Sequence, residues 1–473
     1  MRISVRFAPS PTGYLHVGGL RTALYNYLYA KGENGRIVLR IEDTDQSRKV
    51  EGAVEQLISA FDVMGIQFDE SPENEGNYGP YFQSQRLGLY KKHVTELVQK
   101  GLAYPCFCSS ERLDTLRKEK QALKLSTQYD RHCLSLTKDE IEGKYKSESH
   151  VFRLKIPDSK SITFNDIIRN DVTFTTEEID DQVLLKSDGF PTYHLANVVD
   201  DYHMGITHVI RGEEWLSSTP KHILLYNAFG WDTPQFAHVP LLLNPDKSKL
   251  SKRQGDVSVE DYIKKGILPE ALINFVALLG WNPGDNREIF SMDKLISEFS
   301  LERIHTGGAV FNQDKLAWMN SEYLKNLSLN KIVDYVKPFI ELDINMDDDK
   351  FSRAIDFTRN RVSYLTQLNE EIKYFYTHNL REHSDAHILS EISSQSLFKF
   401  WVDKLSKSNT WTPETLKSLI SKTDEELGIK GKDLFFPMRL AIYGECKGPE
   451  IPSIYNILGR DEIISRLNSV IIG

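Results

Sequence analysis

The chain has 473 residues, a length that allows two to four domains at roughly 100 to 200 residues each. Hydrophobic residues make up 40% and charged residues 26%, and this balance excludes a disordered or fibrous protein. The formal net charge of −9 excludes a uniformly basic surface, so any contact with nucleic acid must come from a local basic face.

The N-terminal sequence, MRISVRFAPSPTG, lacks the apolar segment of a signal peptide, and no run of about 18 apolar residues occurs in the chain. The four cysteines are too few for the disulfide framework of a secreted protein. We therefore expect a cytoplasmic protein with reduced thiols or a metal site.

The first hundred residues alternate between predicted strands and helices. Ile3, Val5 and Phe7 share one face of a short strand, residues 19–30 have helical spacing, and RIVLRIED reads as a second strand. Two further helices are predicted to end at Gly65 and Gly101. Parallel strands joined by helices predict a doubly wound sheet.

The pattern changes over residues 106–181, which indicates an inserted module. A Lys/Glu-rich stretch, RLDTLRKEKQALK, precedes the strand-like pieces SHVFRLKIP and ITFNDII. Apolar strands and helices return over residues 183–243, so we expect the first fold to resume there.

The last third is predicted to be helical. No Gly or Pro occurs between Pro338 and Pro413, and Thr412 before Pro413 has the pattern of a helix start. Apolar side chains recur at spacings of three and four at Val362, Leu365, Leu368, Ile372 and Phe375.

Two segments suit a nucleotide site. The first, APSPTGYLHVGG, places glycines and His16 between a strand and a helix start, where backbone N–H groups and the imidazole can meet phosphate. The second, DKSKLSKRQGD, concentrates four cations that can neutralise charge on phosphates. Taken singly, the first could be an ordinary connecting loop and the second a solvated basic turn.

Together these segments resemble the two signatures of class I aminoacyl-tRNA synthetases, with HVGG at residues 16–19 and KLSKR at residues 249–253. RFAPSPTGYLHVGG, RIEDTD, FPTYHLANVVDD and VIRGEEWLSSTPKH resemble bacterial glutamyl-tRNA synthetases. The resemblance implies an α/β Rossmann-type catalytic domain split into residues 1–105 and 182–255. It further implies an α+β acceptor-end module at 106–181, a linking stem-contact region at 256–325 and an all-α anticodon-binding region at 326–473.

The resemblance also implies two sets of site residues. Those expected to bind glutamate are Arg6, Ala8, Ser10, Glu42, Tyr193, Asn197, Arg211 and Trp215. Those expected to bind ATP are His16, Gly18, Gly19, Glu214, Leu242, Lys249, Ser251 and Lys252, of which His16, Lys249 and Lys252 are the expected catalytic residues. Arg211 suits a γ-carboxylate and Glu42 an α-ammonium group. The alternatives are that Tyr193 and Trp215 are core aromatics and that Glu42 caps a helix or pairs with an arginine.

The implied reaction has two steps. ATP is a substrate, Mg²⁺ accompanies its phosphates, and the glutamate α-carboxylate attacks the α-phosphorus before the glutamyl group moves to the 3′-terminal adenosine of tRNA(Glu). The resemblance leaves open whether tRNA(Gln) is charged as well. We expect a monomer.

Zinc and anticodon contacts are further expectations from the resemblance. Cys106, Cys108 and Cys133 match three positions of a zinc site found in some relatives, but Ser135 stands at the fourth, so we expect reduced thiols and no bound metal. Arg359 and Arg361 fall where the family reads the anticodon, or else they lie on a solvated helix face.

Four other functions compete with this one. A shorter relative of the family glutamylates a modified base in another tRNA, but it lacks the C-terminal third, so the length of this chain excludes it. A glutaminyl-tRNA synthetase would end in β-barrels, whereas this chain is predicted to end in helices. A catalytically silent paralogue would be expected to have lost His16, Lys252 or the pocket arginines, and all are present. A small-substrate nucleotidyltransferase would leave the helical third without a task.

Overall fold

The computed structural model describes residues 2–48, 50–250, 258–346, 348–377, 380, 383–407 and 412–472. The chain forms two compact units, one of Met1–Ile263 with Pro269–Gln313 and the other of Lys264–Leu268 with Asp314–Gly473. Among the described residues, no helix is both long and apolar enough to cross a membrane.

The first hundred residues form the predicted alternation of strands and helices. The elements are β1 (Ser4–Phe7), α1 (Val17–Gly32), β2 (Arg36–Leu39), α2 (Ala53–Val63) and α3 (Leu87–Gln99). Strands β1 and β2 run parallel, with Ser4 opposite Arg36 and Phe7 opposite Leu39. Gly65 and Gly101, the predicted helix ends, each lie just after a helix. Both glycines have a φ of +70°, a conformation that glycine adopts without strain.

Residues 103–175, which include most of the segment predicted as an insertion, form short strands and helices. They are β3 (Ala103–Cys106), α4 (Ser110–Ala122), α5 (Lys138–Tyr145), β4 (Val151–Leu154), β5 (Ser161–Asp166) and β6 (Asn170–Thr175). Strands β5 and β6 form an antiparallel hairpin whose Ile162, Phe164 and Asp166 are buried on one face, while the alternate residues are exposed.

The rest of the first unit returns to alternating elements. They are β7 (Val183–Leu185), α6 (Tyr193–His203), β8 (His208–Gly212), α7 (Thr219–Phe229), β9 (Gln235–Val239), β10 (Leu242–Leu243), α8 (Val259–Lys264), α9 (Pro269–Ala277), α10 (Met292–Glu298) and β11 (Ala309–Val310). Strands β8 and β9 are parallel, and the Thr207 backbone N–H donates to the Ser4 carbonyl at 2.9 Å, which brings β8 beside β1. The predicted parallel arrangement is therefore confirmed.

The insertion is joined to the catalytic strands in a way that the sequence pattern did not predict. Strand β5 pairs in parallel with β9 at Asp166 and Phe236, so one four-stranded sheet has the order β6, β5, β9, β8. A second, antiparallel sheet has the order β3, β4, β7, and its outer strands lie on either side of the predicted insertion limits. The domain limits therefore stay a prediction.

The second unit is helical throughout its described part. Its helices are α11 (Gln313–Asn326), α12 (Leu329–Val336), α13 (Asp349–Thr358), α14 (Gln367–Tyr376), α15 (Ile392–Lys407), α16 (Pro413–Leu427), α17 (Lys432–Tyr443), α18 (Ile451–Leu458) and α19 (Arg460–Val470). Thr412 caps α16 by accepting from the Thr415 backbone N–H, as predicted.

The helical pattern from Val362 to Phe375 is only partly helical in the structure. Leu368, Ile372 and Phe375 lie buried on α14, but Val362 and Leu365 precede it. The Gln367 side chain accepts from the backbone N–H groups of Ser363 and Tyr364, which satisfies these donors without a helix.

Candidate active site

The first unit contains a cavity of about 440 Å³ between the C-terminal ends of β1 and β8 and the N-termini of α1 and α6. Its wall contains Arg6, Phe7, Ala8, Ser10, His16, Gly18, Gly19, Arg21, Thr22, Glu42, Tyr193, Asn197, Ile210, Arg211, Gly212, Glu214, Trp215, Pro240, Leu241, Leu242, Lys249 and Leu250. The structure thus brings every described residue of the predicted glutamate and ATP sites to one cavity.

His16 forms the N-cap of α1 at the edge of this cavity. Its Nδ1 accepts from the backbone N–H of Gly18 at 3.0 Å and of Gly19 at 3.2 Å. Because Nδ1 accepts, the neutral imidazole carries its proton on Nε2 and can donate from there. A Cβ atom at Gly18 would lie 2.9 Å from His16 Cε1, so glycine is what allows this cap.

The second signature begins in a tight turn after β10. The Asn244 N–H donates to the Ser248 carbonyl at 2.8 Å, and the Leu250 N–H donates to the Leu242 carbonyl at 2.9 Å. This pairing brings Lys249 and Leu250 to the cavity wall. Ser251 and Lys252 lie outside the described residues.

Arg211, at the end of β8, is a buried cation with neutral partners. Its Nε donates to His238 at 3.1 Å, Nη1 lies 3.0 Å from the Tyr193 hydroxyl and 3.2 Å from His222 Nδ1, and Nη2 donates to Thr219 at 2.9 Å. Burial lowers the pKa of His238 to about 4 and that of His222 well below its usual value, so both rings are neutral at pH 7. Within the part of the chain that the structure describes, no carboxylate forms an ion pair with Arg211.

The opposite side of the cavity is a buried network of paired charges. Arg6 Nε lies 3.1 Å and Arg40 Nη1 lies 2.7 Å from Asp201 Oδ1, and Arg40 Nη2 lies 3.4 Å from Glu42. Asn197 fits between two of these groups, with its carboxamide atoms 3.3 Å from Arg6 Nη2 and from Asp201 Oδ2 when oxygen faces the arginine. Burial raises the pKa of Glu42 to about 7, although Arg40 and Arg6 oppose the rise.

An aromatic pair lies beside Arg211 in the wall. The Tyr193 and Trp215 ring centroids are 4.0 Å apart with an interplanar angle of 34°. Both side chains are partly exposed to the cavity rather than enclosed in the core. They give the wall an apolar surface next to the buried cation.

Comparison with known proteins agrees with this geometry. Residues 2–318 match the family model "tRNA synthetases class I (E and Q), catalytic domain", and residues 331–471 match "Anticodon binding domain". The chain is 44% identical to the glutamate-tRNA ligase of Alkaliphilus metalliredigens over 99% of this chain and 98% of that one. The chain belongs to the glutamate-tRNA ligase family.

Further relatives of this ligase support the same assignment. It is 46% identical to the glutamate-tRNA ligase of Chlorobaculum parvum over 98% of this chain and 97% of that one. The present structure superposes with a TM-score of 0.93 on the crystal structure of a glutamate tRNA ligase from Elizabethkingia meningosepticum in complex with its amino acid. The two chains are 38% identical, and the match covers 100% of this chain and 99% of that one. The predicted family, enzyme class and fold class are confirmed.

Several groups in and behind the cavity wall of the ligase were missed by sequence reasoning. Arg21 is buried in the wall, where its Nη1 donates to the Leu279 carbonyl at 3.1 Å and burial lowers its pKa. The position of Arg21 between Leu20 and Leu24, on the apolar face of α1, could have indicated a buried arginine. Arg40, Asp201 and His238 left no such signal, because their roles depend on contacts between distant parts of the chain.

The three cysteine thiols that match part of the family's zinc site lie together outside the cavity. The sulfur atoms of Cys106, Cys108 and Cys133 are within 4.8 Å of one another. The Tyr129 hydroxyl lies 3.4 Å from Cys106 Sγ and 3.3 Å from Cys108 Sγ. Ser135, at the fourth ligand position of the family, donates to the His132 carbonyl instead.

The two arginines predicted to read the anticodon lie in a 3₁₀ turn of the second unit rather than on a helix face. Arg359 Nη1 donates to the Leu327 carbonyl at 2.6 Å, and Nη2 pairs with Asp356 at 2.7 Å. Arg361 pairs with Glu371 at 3.3 Å and keeps 40% of its side chain exposed. Arg361 is therefore the more accessible of the two.

Proposed function

We propose that this ligase activates glutamate with ATP in the cavity and transfers it to the 3′-terminal adenosine of tRNA(Glu), with release of AMP and pyrophosphate. The observation that carries the proposal is the environment of Arg211. A buried guanidinium that faces neutral groups is stabilised by an anion, and the γ-carboxylate of glutamate supplies one.

The charged groups on the two sides of the cavity suit those of glutamate. Arg6 and Arg40 pair with Asp201 and Glu42, whereas Arg211 has no ion pair with a described carboxylate. Glutamate carries two carboxylates and one ammonium group, so its net charge of −1 balances Arg211. We assign the γ-carboxylate to Arg211, the α-ammonium to Glu42 and the α-carboxylate to the side of Arg6.

The donors on Arg211 explain how glutamine would be rejected. Four of its five N–H groups have described partners, and one of these partners, Tyr193, lies in the cavity wall. A carboxylate can take the remaining Nη2 N–H and replace the Tyr193 hydroxyl on Nη1. The amide of glutamine has one acceptor atom and presents its NH₂ to a donor, which leaves buried groups unpaired.

The rest of the wall suits ATP. We assign phosphate contacts to His16 Nε2, to the N-terminus of α1 and to Lys249, with Ser251 and Lys252 in the same role from the sequence signature. Attack of the α-carboxylate on the α-phosphorus forms the adenylate and expels pyrophosphate, which requires alignment and charge stabilisation but no protein nucleophile.

Mg²⁺ is part of this proposal as a companion of the ATP phosphates. Such ions are usually held by one or two carboxylates together with substrate phosphates, and the exposed Glu214 is a carboxylate of the wall that fits this pattern. The ion would supply positive charge to the phosphates.

We propose that several regions of the chain contact the tRNA. Residues 106–181 would contact the acceptor end, residues 256–325 the stem, and residues 326–473 the anticodon, with Arg361 as the more accessible arginine. Whether tRNA(Gln) is also a substrate is a question for the assay below. We also infer a monomer, and a cytoplasmic location because translation consumes the product there.

We propose that the thiol cluster holds reduced cysteines rather than zinc. Structural zinc takes four N or S ligands, whereas the fourth group beside these sulfurs is the Tyr129 hydroxyl and Ser135 is bonded to the backbone. Metal analysis of enzyme purified without chelator is expected to find far less than one zinc per chain. One equivalent that is retained through dialysis would contradict this assignment.

The experiment that tests the proposed function is aminoacylation with radiolabelled glutamate or glutamine, each offered with separately transcribed tRNA(Glu) and tRNA(Gln). We expect charging with glutamate and tRNA(Glu), and its loss in Arg211→Met. Charging with glutamine would instead support a glutaminyl enzyme. No charging of either tRNA by folded protein would support a catalytically silent paralogue.

A further inference from the structure

His238 lies behind Arg211, on the side away from the open cavity. It is fully buried on β9, and its Nε2 lies 3.1 Å from Arg211 Nε. A guanidinium N–H can only donate, so Nε2 must accept and cannot carry a proton. The neutral ring therefore has its proton on Nδ1.

Asp166 accounts for that tautomer. Its Oδ2 lies 2.6 Å from His238 Nδ1, and the carboxylate also accepts from the backbone N–H of Ile168 and Arg169 at 3.0 Å and of His238 at 3.1 Å. Burial would raise the pKa of Asp166, but its bond to His238 and these backbone donors hold the pKa below its usual value. An ionised carboxylate only accepts, so it selects the ring with the proton on Nδ1.

The other neighbours of Arg211 lack such an anchor among the described residues. His222 accepts from Nη1 through Nδ1 and reaches His194 at 3.2 Å through Nε2, and burial lowers the pKa of both rings. The Thr219 hydroxyl accepts from Nη2 and lies 3.1 Å from His238 Nε2. His238 is thus the one described neighbour of Arg211 whose orientation is fixed by a carboxylate.

We propose that His238, oriented by Asp166, is a positioning residue that fixes the Arg211 guanidinium for recognition of the substrate γ-carboxylate. The neutral imidazole holds Nε while Asp166 stays one side chain away, so Arg211 is oriented without being neutralised. A carboxylate in direct contact with Arg211 would compete with the substrate for the same cation. This inference rests on the proposed role of Arg211.

The arrangement also makes the amino-acid pocket depend on the insertion. Asp166 is the last residue of β5 in the segment 106–181, and it lies opposite Phe236 of β9 where the two strands pair. His238 follows two residues later on β9. The hairpin of the insertion therefore supplies the carboxylate that orients a residue of the catalytic sheet.

Two substitutions of His238 separate the bond to Arg211 from the bond to Asp166. In His238→Asn the amide reaches the position of Nδ1 and loses the acceptor that faces Arg211, whereas in His238→Gln the amide oxygen reaches the position of Nε2 and keeps it. We expect His238→Asn to raise the KM for glutamate roughly 10- to 100-fold, the range for a lost hydrogen bond to a charged group. We expect His238→Gln to recover most of this loss.

The readouts exclude a merely structural role. The KM values for ATP and tRNA(Glu) should stay within about twofold of the wild type in both variants, and the inhibition constant of glutamine should move closer to the KM of glutamate in His238→Asn. The inference would be overturned if both variants lowered kcat to the same extent and left all three KM values unchanged. It would also be overturned if the KM for glutamate were as high in His238→Gln as in His238→Asn.

An Arg211→Met control and an NMR measurement complete the test. If Arg211→Met leaves the KM for glutamate unchanged, the proposed role of Arg211 fails and this inference fails with it, although the enzyme still charges glutamate; if Arg211→Met loses charging while His238→Asn matches the wild type, only this inference fails. In folded wild-type enzyme labelled with ¹⁵N-histidine, the His238 signals, assigned by their loss in His238→Gln, should report the tautomer with the proton on Nδ1 at pH 7. A proton on Nε2 would overturn the inference. If the His238 variants do not fold, neutron diffraction from crystals of the wild-type enzyme locates the same proton without an assignment by mutation.

Discussion

The two sides of the candidate active-site cavity differ in how their buried charges are paired. On one side, Arg6 and Arg40 share Asp201, and Arg40 also reaches Glu42, so the buried charges are largely balanced. On the other side, Arg211 is held by histidine, threonine and tyrosine side chains that carry no charge. Under the proposed function, the side with an unbalanced charge recognises the γ-carboxylate of the substrate, whereas the balanced side both holds the wall together and meets the α-amino and α-carboxylate groups.

Removal of the unbalanced charge should have the largest effect, and it should fall on activity. We expect Arg211→Met to lower kcat/KM for glutamate by roughly 10³- to 10⁵-fold, because a site built around a charged partner rejects ligands once that pairing is lost. The free energy of unfolding should change by about 1 kcal/mol or less, since a buried cation without a counterion contributes little to stability. Steady-state aminoacylation and urea unfolding measure the two effects, and a large loss of stability would contradict this distinction.

Breaking the balanced side should instead destabilise the fold. Asp201 and Arg40 have fully buried side chains, so Asp201→Asn leaves two buried guanidinium groups short of a counterion. We expect a loss of roughly 3–5 kcal/mol in the free energy of unfolding.

The matched control for Asp201→Asn is an exposed ion pair. Asp45 pairs with Arg48, and the two side chains are 45% and 68% exposed. Asp45→Asn should leave the urea midpoint unchanged, because solvent screens such pairs. Equal effects of the two substitutions would refute the assignment of Asp201 to a structural network.

A smaller effect is expected at the end of the cavity to which we assign ATP. In Gly18→Ala the new Cβ would lie 2.9 Å from His16 Cε1, so the imidazole must turn away from its cap. We expect the KM for ATP to rise roughly tenfold, about the worth of one charge-assisted hydrogen bond. Gly88→Ala is the control, since a Cβ there meets no atom within 4 Å, and it should leave the KM unchanged.

The smallest effect is a pH dependence on the balanced side. The pKa of Glu42 is raised to about 7 by burial, and only its ionised form attracts an ammonium group. Glutamate affinity should therefore be full above pH 7 and fall as the pH drops through 7, by up to about tenfold per pH unit. In Glu42→Gln the KM for glutamate should be higher than in the wild type and should no longer depend on pH near 7. If the KM of the variant still changed with pH in this range, the titration would belong to another group.

Local patterns were enough to find many of the residues that line the cavity. His16 with its glycines is a contiguous motif, and the helix cap that it forms follows directly from neighbouring residues. The glutamate-site residues came from short segments that resemble a known family. All of the described ones lie in the cavity wall, and their individual roles remain proposals.

The residues that hold those side chains in place could not be found in this way. Asp166, His238 and Arg211 lie far apart in sequence and meet only because β5 pairs with β9 and β9 pairs with β8. The register of these strands is a property of the folded sheet and not of any short window. For the same reason, the contact of Arg359 with the Leu327 carbonyl was not foreseen.

The most direct test of the account is a crystal structure of the enzyme with glutamate and a non-hydrolysable ATP analogue. The account predicts the γ-carboxylate within hydrogen-bonding distance of Arg211 Nη2, the α-ammonium beside Glu42, and the α-carboxylate turned toward the α-phosphate. A glutamate bound in the reverse sense, with its γ-carboxylate on Arg6 and its α-carboxylate on Arg211, would contradict the central claim that Arg211 reads the side chain of the substrate.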